Sequence, residues 1–233
     1  MRFNKTFITI VLCLVFLSVS LSAGNNPPKT TEQLLIKYSD IWYEATHHPF
    51  LEQAKDGTLP EEAFFTWLGQ DYHFASNLID GQCFVLKHAP RADQALLIGG
   101  LFALDSELTW FEENASLYNI DLTQPLLPTC QKYADFLLAM QYKPYVVQIT
   151  CIWALELAYY DSWSTALPGA PKYKEFIDRW TSEDFWIYVD DLDSAVNAAL
   201  SKASKEEREL AETYFLWVVK YEKDFWDMAL SGE

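Results

Sequence analysis

The chain has 233 residues, half of them apolar and 16% aromatic, with only eight glycines. That length fits one large domain or two small ones and supplies ample material for a packed core. The formal net charge of −16 argues against nucleic acid and against an anionic membrane surface as partners, because both repel an acidic protein.

Residues 1–23 read as a secretory signal peptide. Arg2 and Lys5 precede the apolar run from Phe7 to Val19, and the small residues Ser20, Ser22 and Ala23 follow. The run is short for a membrane span, so cleavage after Ser22 or Ala23 is expected to leave a secreted or periplasmic protein with no stable membrane binding. An uncleaved anchor is the alternative. Losing Arg2 and Lys5 takes the charge to −18, with 15 basic against 33 acidic residues. Of the four cysteines, Cys13 lies in this leader. Cys83, Cys130 and Cys151 fall inside predicted helices, which implies few or no disulfides, and without a CxxC pair zinc has no support.

Residues 24–30 read as a disordered spacer before a single domain over 31–233. Thr31–His47 is expected to be one helix, with Leu34, Leu35, Tyr38, Ile41 and Trp42 on one face. Pro49 disfavours helix at His48 and ends it. Asp56–Pro60 (DGTLP) reads as a turn, with Pro60 opening a helix that runs to about Lys87. Arg91–Asn119 is predicted helical with a soft point at Gly99–Gly100, and Thr129–Gln141 forms a shorter helix. Lys143-Pro144 opens a helix that LPGAP (Leu167–Pro171) closes. Lys172–Trp180 and Glu183–Ala203 are two more, and Ser204–Glu207 (SKEE) is a capping box for the last, which runs to about Leu230. With no convincing strand, the pattern predicts an all-α domain.

Gln148–Trp163 (QITCIWALELAYYDSW) has no Gly, Pro, Lys or Arg. At about 100° per residue, Ile149, Ile152, Trp153, Glu156, Tyr160 and Trp163 fall along one side, so a carboxylate sits in an apolar stripe. Such a group is kept for chemistry or recognition, or it finds a hydroxyl or a distant lysine in a helical core. Cys151 precedes Glu156 by five residues and projects about 140° away from it; an intrahelical cysteine is commonly an inert small hydrophobe. Asp71, in WLGQDYHF, and Glu222, in YFLWVVKYEKDFW, are further acids in aromatic company, although solvation would account for Asp71 and a pair with Lys220 or Lys223 for Glu222. All four histidines (His47, His48, His73, His88) lie early, so later helices cannot complete a carboxylate–histidine di-iron site.

Three separated stretches, HPFLEQAKDGTLPEEAFFTWLGQDY, ITCIWALELAYYDSW and YEKDFWDMA, with ELTWFEENASLYNIDL between them, resemble the TenA/thiaminase II family over residues 31–230. The resemblance implies a haem-oxygenase-like helical bundle with no cofactor, a homo-oligomer (a tetramer), and hydrolysis of a small aminopyrimidine in thiamin salvage. It matches Asp71 to the carboxylate that holds the aminopyrimidine, Tyr133 to a pocket tyrosine and Glu222 to an acid/base glutamate. Phe74 and Trp180 stand where relatives often carry tyrosine, and Tyr72 and Tyr160 complete the implied pocket. Two classes of the family are both echoed. Cys151-Ile152-Trp153 keeps the position of a nucleophilic cysteine, while Trp153–Glu156 (WALE), ELTWFEENA and GQDYHF look like the class that uses a glutamate. Three activities follow as expectations: an aminopyrimidine hydrolase using Glu156 and Glu222, a thiaminase II working through Cys151, and a non-catalytic pyrimidine- or thiamin-binding protein.

Overall fold

The computed structural model describes residues 26–233, so the expected leader and Cys13 lie outside the described residues. Ten α-helices and no strand occur among them. In chain order they are α1 (Thr31–Lys37), α2 (Ser39–Thr46), α3 (Pro49–Asp56), α4 (Glu61–His88), α5 (Gln94–Tyr118), α6 (Pro128–Ala139), α7 (Tyr145–Thr165), α8 (Lys174–Trp180), α9 (Glu183–Lys202) and α10 (Lys205–Ser231). The all-α expectation holds.

Several boundaries differ from the pattern for local reasons. Pro27 and Pro28 are buried rather than solvated. The chain is pinned just beyond them, where Thr31 N–H donates to Asn197 Oδ1 at 3.1 Å and Asn197 Nδ2 donates to Thr31 Oγ1 at 2.9 Å. The single helix expected over Thr31–His47 is two, interrupted at Tyr38, whose φ of −120° and ψ of 25° leave the helical region. Pro49 does not merely stop a helix but starts α3, with His48 Nδ1 accepting from Phe50 N–H at 3.1 Å as its cap. Pro60 sits one residue before α4 as its cap rather than at its first turn position. Gly57, at φ +75°, ends α3 in the left-handed region. The capping box at α10 forms as expected: Glu207 N–H donates to Ser204 Oγ at 3.1 Å and Ser204 N–H to Glu207 Oε2 at 2.8 Å.

The bundle is built around α7, which packs on α2, α8, α9 and α10, while α4 packs on α5, α6 and α10. Every residue of α7 from Val146 to Ala158 is buried. It is therefore not the one-sided stripe that the spacing suggested but a helix enclosed all round, as its lack of basic residues allows. Trp67 of α4 is the hub of an aromatic cluster between these layers. Its ring lies 5.1 Å from Trp163, 5.5 Å from Trp180, 5.4 Å from Phe64 and 5.7 Å from Phe176. Trp226 of α10 closes the cluster, edge-on to Trp163 at 5.8 Å. Edge-to-face and offset pairs of this kind add to the burial free energy and hold the rings in fixed orientations.

The Gly99–Gly100 pair does not break α5, and the two glycines do different things. A methyl at Gly99 meets nothing within 4 Å, whereas one at Gly100 would come within 2.3 Å of Gln82 Nε2 and 2.4 Å of the Tyr188 hydroxyl. Gly100 is thus what lets α5 approach α4 and α9. Gly100→Ala is expected to cost about 1–3 kcal/mol through overpacking, while Gly99→Ala gains about 0.5–1 kcal/mol from helix propensity. Urea unfolding midpoints of the two variants check the opposite signs.

Candidate active site

A cavity of about 460 Å³ opens between α4, α5, α7, α9 and α10. Asp71 of α4, Glu156 of α7 and Glu222 of α10, the three acids marked out by their aromatic surroundings, all line it. Glu107 of α5 joins them in the interior, and the exposed Asp184 of α9 completes the acids of the lining. Phe74, Phe111, Leu155, Tyr159, Trp180 and Phe185 form its apolar and aromatic walls, and among the described residues Arg179 is the only lysine or arginine lining it.

Three of the four interior acids have a hydrogen-bond donor of their own. Glu222 is 4% exposed and accepts from the Tyr133 hydroxyl at 2.6 Å. Tyr133 is held between Phe74, 4.7 Å away, and the stacked ring of Tyr221. Asp71 is 5% exposed, and its Oδ2 accepts from the Tyr159 hydroxyl. Glu107 accepts from Trp180 Nε1 at 2.8 Å and faces Arg179 Nε at 3.9 Å, the guanidinium lying over the Trp110 ring. Glu156 is 9% exposed, and none of the described side chains donates to it.

Burial in this aromatic shell disfavours the charged forms. It lifts Glu222 to about 8, against the pull of the Tyr133 hydrogen bond. Burial likewise pushes Asp71 well above the usual carboxyl range, opposed by the Tyr159 hydroxyl and reinforced by Glu107 and Glu222. Glu156 is pushed well up by burial and then by the charges of Glu107, Glu222 and Asp71. Burial also raises Glu107, but Arg179 and the Trp180 indole pull it back. Of the four interior acids, one therefore has a cation beside it and three favour the neutral form. Such a set can donate and accept protons near neutral pH.

The other candidates separate into walls and bystanders. Phe74 and Trp180 face the cavity. Tyr133 stands one layer behind, acting on Glu222. Tyr72 does not reach the cavity and donates to Glu112 at 3.2 Å. Tyr160 points to α9, its ring 4.9 Å from Trp186. One position earlier on the helix, Tyr159 is the tyrosine that lines the chamber. Cys151 is fully buried outside the cavity lining, and burial alone pushes its thiol far above the ordinary range. The 140° offset from Glu156 thus decides between them: the glutamate faces the cavity and the cysteine faces the core. Glu107 and Tyr159 were not singled out from the sequence. Glu107 lies within the ELTWFEENA motif, and Tyr159 lies three residues after Glu156, close to its face.

No group of three or more His, Cys, Asp or Glu side chains with metal-holding geometry occurs among the described residues. The sequence profile described as the TENA/THI-4/PQQC family matches residues 35–232. A soybean (Glycine max) protein named "Probable bifunctional TENA-E protein" is 33% identical over 211 residues, covering 85% of this chain and 92% of that protein. An "Aminopyrimidine aminohydrolase" of Helicobacter pylori is 24% identical over 220 residues, with 86% and 98% coverage. Among solved structures, a TenA homologue from Pyrococcus furiosus superposes with a TM-score of 0.82 at 28% identity, covering 85% of this chain and 98% of that one.

The raised Glu222 has a consequence for stability. Its folded pKa of about 8 exceeds the ordinary 4.5, so the folded protein keeps this proton after the unfolded chain has lost it. The associated stability is complete below about pH 4.5 and is lost as the pH rises towards 8. Glu222→Gln, with no proton to lose, is expected to match the parent near pH 4.5 and to exceed it at pH 8 by about 4 kcal/mol. Denaturant unfolding at the two pH values measures the gap, and a gap that does not change with pH contradicts this reading.

Proposed function

The chain belongs to the TENA/THI-4/PQQC family, and from that premise we propose that it is an aminopyrimidine hydrolase of thiamin salvage on a haem-oxygenase-like bundle. It releases hydroxymethylpyrimidine, or first the aminomethyl compound, from thiamin breakdown products such as formylaminopyrimidine. The observation that carries this reading is the meeting of Asp71, Glu156 and Glu222, from three helices, on one aromatic-walled cavity. The aminopyrimidine aminohydrolase and TENA-E relatives support it.

The chemistry follows from the site. A flat heterocycle fits the aromatic walls, and Asp71 pairs with its amino group and adjacent ring nitrogen. Water attacks the methylene carbon as the C–N bond breaks. One carboxyl gives a proton to the departing amine, and a carboxylate takes the proton that the water loses. For the formyl compound the same pair serves water adding to the amide carbonyl, releasing formate and the amine. Glu222 supplies the proton, because at about 8 its acid form persists at neutral pH. Glu156 is the partner group. Among the described residues no side chain donates to it, and burial with the neighbouring acids favours its neutral form, so it takes the water's proton from its ionised form, which positive charge developing on the substrate favours.

The rival reading, a thiaminase II acting through Cys151, finds little support. The thiol is buried away from the cavity, and burial holds it in the unreactive protonated form. We also propose export by the 1–23 leader and assembly as a tetramer, which N-terminal sequencing of the mature protein and sedimentation equilibrium test.

Incubating the protein with formylaminopyrimidine, aminomethylpyrimidine and thiamin, and following pyrimidine release, tests the function. Cys151→Ser is expected to keep kcat within about twofold, while Glu222→Gln and Glu156→Gln each lose about 10²-fold or more. Loss of turnover in Cys151→Ser with thiamin as the preferred substrate points to thiaminase II. Tight binding without turnover of any of the three points to a capture protein.

A further inference from the structure

The hydrogen bonds behind Asp71 have a direction. Trp67 Nε1 donates to the Tyr159 hydroxyl at 3.1 Å. An indole nitrogen can only donate, so it occupies a lone pair of the phenol oxygen and cannot receive the phenol proton. Among the described residues, the one acceptor in reach of that proton is Asp71 Oδ2. The phenol cannot turn elsewhere. Its ring is stacked on Trp226 at 5.7 Å and lies edge-on to Trp180 at 5.3 Å. Were Asp71 to donate instead, a buried phenol proton would be left with no partner, which buried polar groups avoid.

The consequence falls on Asp71. Whether the carboxyl is ionised or neutral, Oδ2 is an acceptor; a proton, when present, sits on Oδ1, because the carbonyl oxygen of a neutral carboxyl is the better acceptor. We infer that Tyr159, backed by Trp67, is a positioning residue that sets substrate class by making Asp71 an oriented reader of the heterocycle edge. It admits an amino group beside a ring nitrogen and rejects a keto group beside a ring N–H.

The reasoning rests on the hydrolase reading above for the statement that a pyrimidine enters this cavity. Given that, Oδ2 accepts from the exocyclic amino group. Oδ1 shares one proton with the ring nitrogen, the proton residing on either partner. A keto edge puts an acceptor where Oδ2 already is one. It can pair only if the ring turns over, which carries the methylene substituent away from Glu222.

The test is equilibrium binding by calorimetry, using hydroxymethylpyrimidine with its native amino group and the same compound with a keto group in that place. Neither needs turnover. The parent protein is expected to prefer the amino compound, and Tyr159→Phe to reduce that preference about tenfold or more, since the directional constraint of one hydrogen bond to a charged or shared-proton group is lost. Trp67→Phe keeps the phenol and removes only the donor behind it. It is expected to shift the preference in the same direction by a smaller factor, so the result can be read from whichever variant retains the parent's helical signal and cooperative unfolding. Equal weakening of both compounds, with the preference unchanged, overturns the inference while leaving the hydrolase reading intact, because a merely structural tyrosine would act in that way. Failure of the parent to bind either compound overturns both.

Discussion

Taking a carboxyl out of water favours its neutral form, and this protein does so with several carboxyls at once. Asp71, Glu156 and Glu222 line a cavity whose walls are largely aromatic, and Arg179 beside Glu107 is the one cation at its edge among the described residues. Charging all four together would set like charges against one another in a poorly solvated space. Burial favours the neutral form of Asp71, Glu156 and Glu222, which relieves that repulsion without lysines. Hydroxyl and indole donors then fix where the lone pairs point: Tyr133 on Glu222, Tyr159 on Asp71 and Trp180 on Glu107. Glu156 alone is left without such a donor.

The same constraint explains the aromatic richness of the chain. A helical bundle of this size can be filled with aliphatic side chains, but an aliphatic core has no donors to aim at a carboxyl. Trp67, Trp163, Trp180 and Trp226 form a rigid layer that both excludes water and carries N–H groups. Two of those N–H groups are used directly, by Trp67 on Tyr159 and by Trp180 on Glu107. α7 runs through this layer and is enclosed over thirteen consecutive residues, so each direction around it is committed. Glu156 takes the cavity side and Cys151 the core side. In a chain carrying features of both the cysteine and glutamate classes, helix geometry puts the glutamate on the cavity and the cysteine in the core.

Much of this was legible in the sequence because a carboxylate amid aromatic residues with no nearby base is an expensive placement that seldom survives without a purpose. Glu156 announced itself that way, Asp71 and Glu222 stood out by their aromatic company and the family motifs, and the fold followed from helix periodicity, the capping box at Ser204 and the Pro–Gly punctuation. What the sequence hid were relations between helices. Glu107 sits among other acids in a motif that reads as a solvated face until α8 brings Arg179 and Trp180 against it. Tyr160 satisfied the stripe around Glu156 as well as Tyr159 did; the choice between adjacent tyrosines depends on the roll of α7 against α4 and α9. Tyr72 was drawn in by its neighbour Asp71, although adjacent residues on a helix diverge by about 100°. The break at Tyr38 is set by backbone angles that no nearby Gly or Pro signals.

The central claim, that the chamber acids hold protons at neutral pH, is open to direct observation. Infrared spectroscopy of the protein with isotope-labelled glutamate and aspartate carboxyls, titrated from pH 5 to 9, distinguishes protonated from ionised groups by their carbonyl stretch. The account predicts protonated-carboxyl bands that persist at pH 7, with one component lost near pH 8 and absent from Glu222→Gln. A spectrum showing every carboxyl ionised by pH 6 would contradict it.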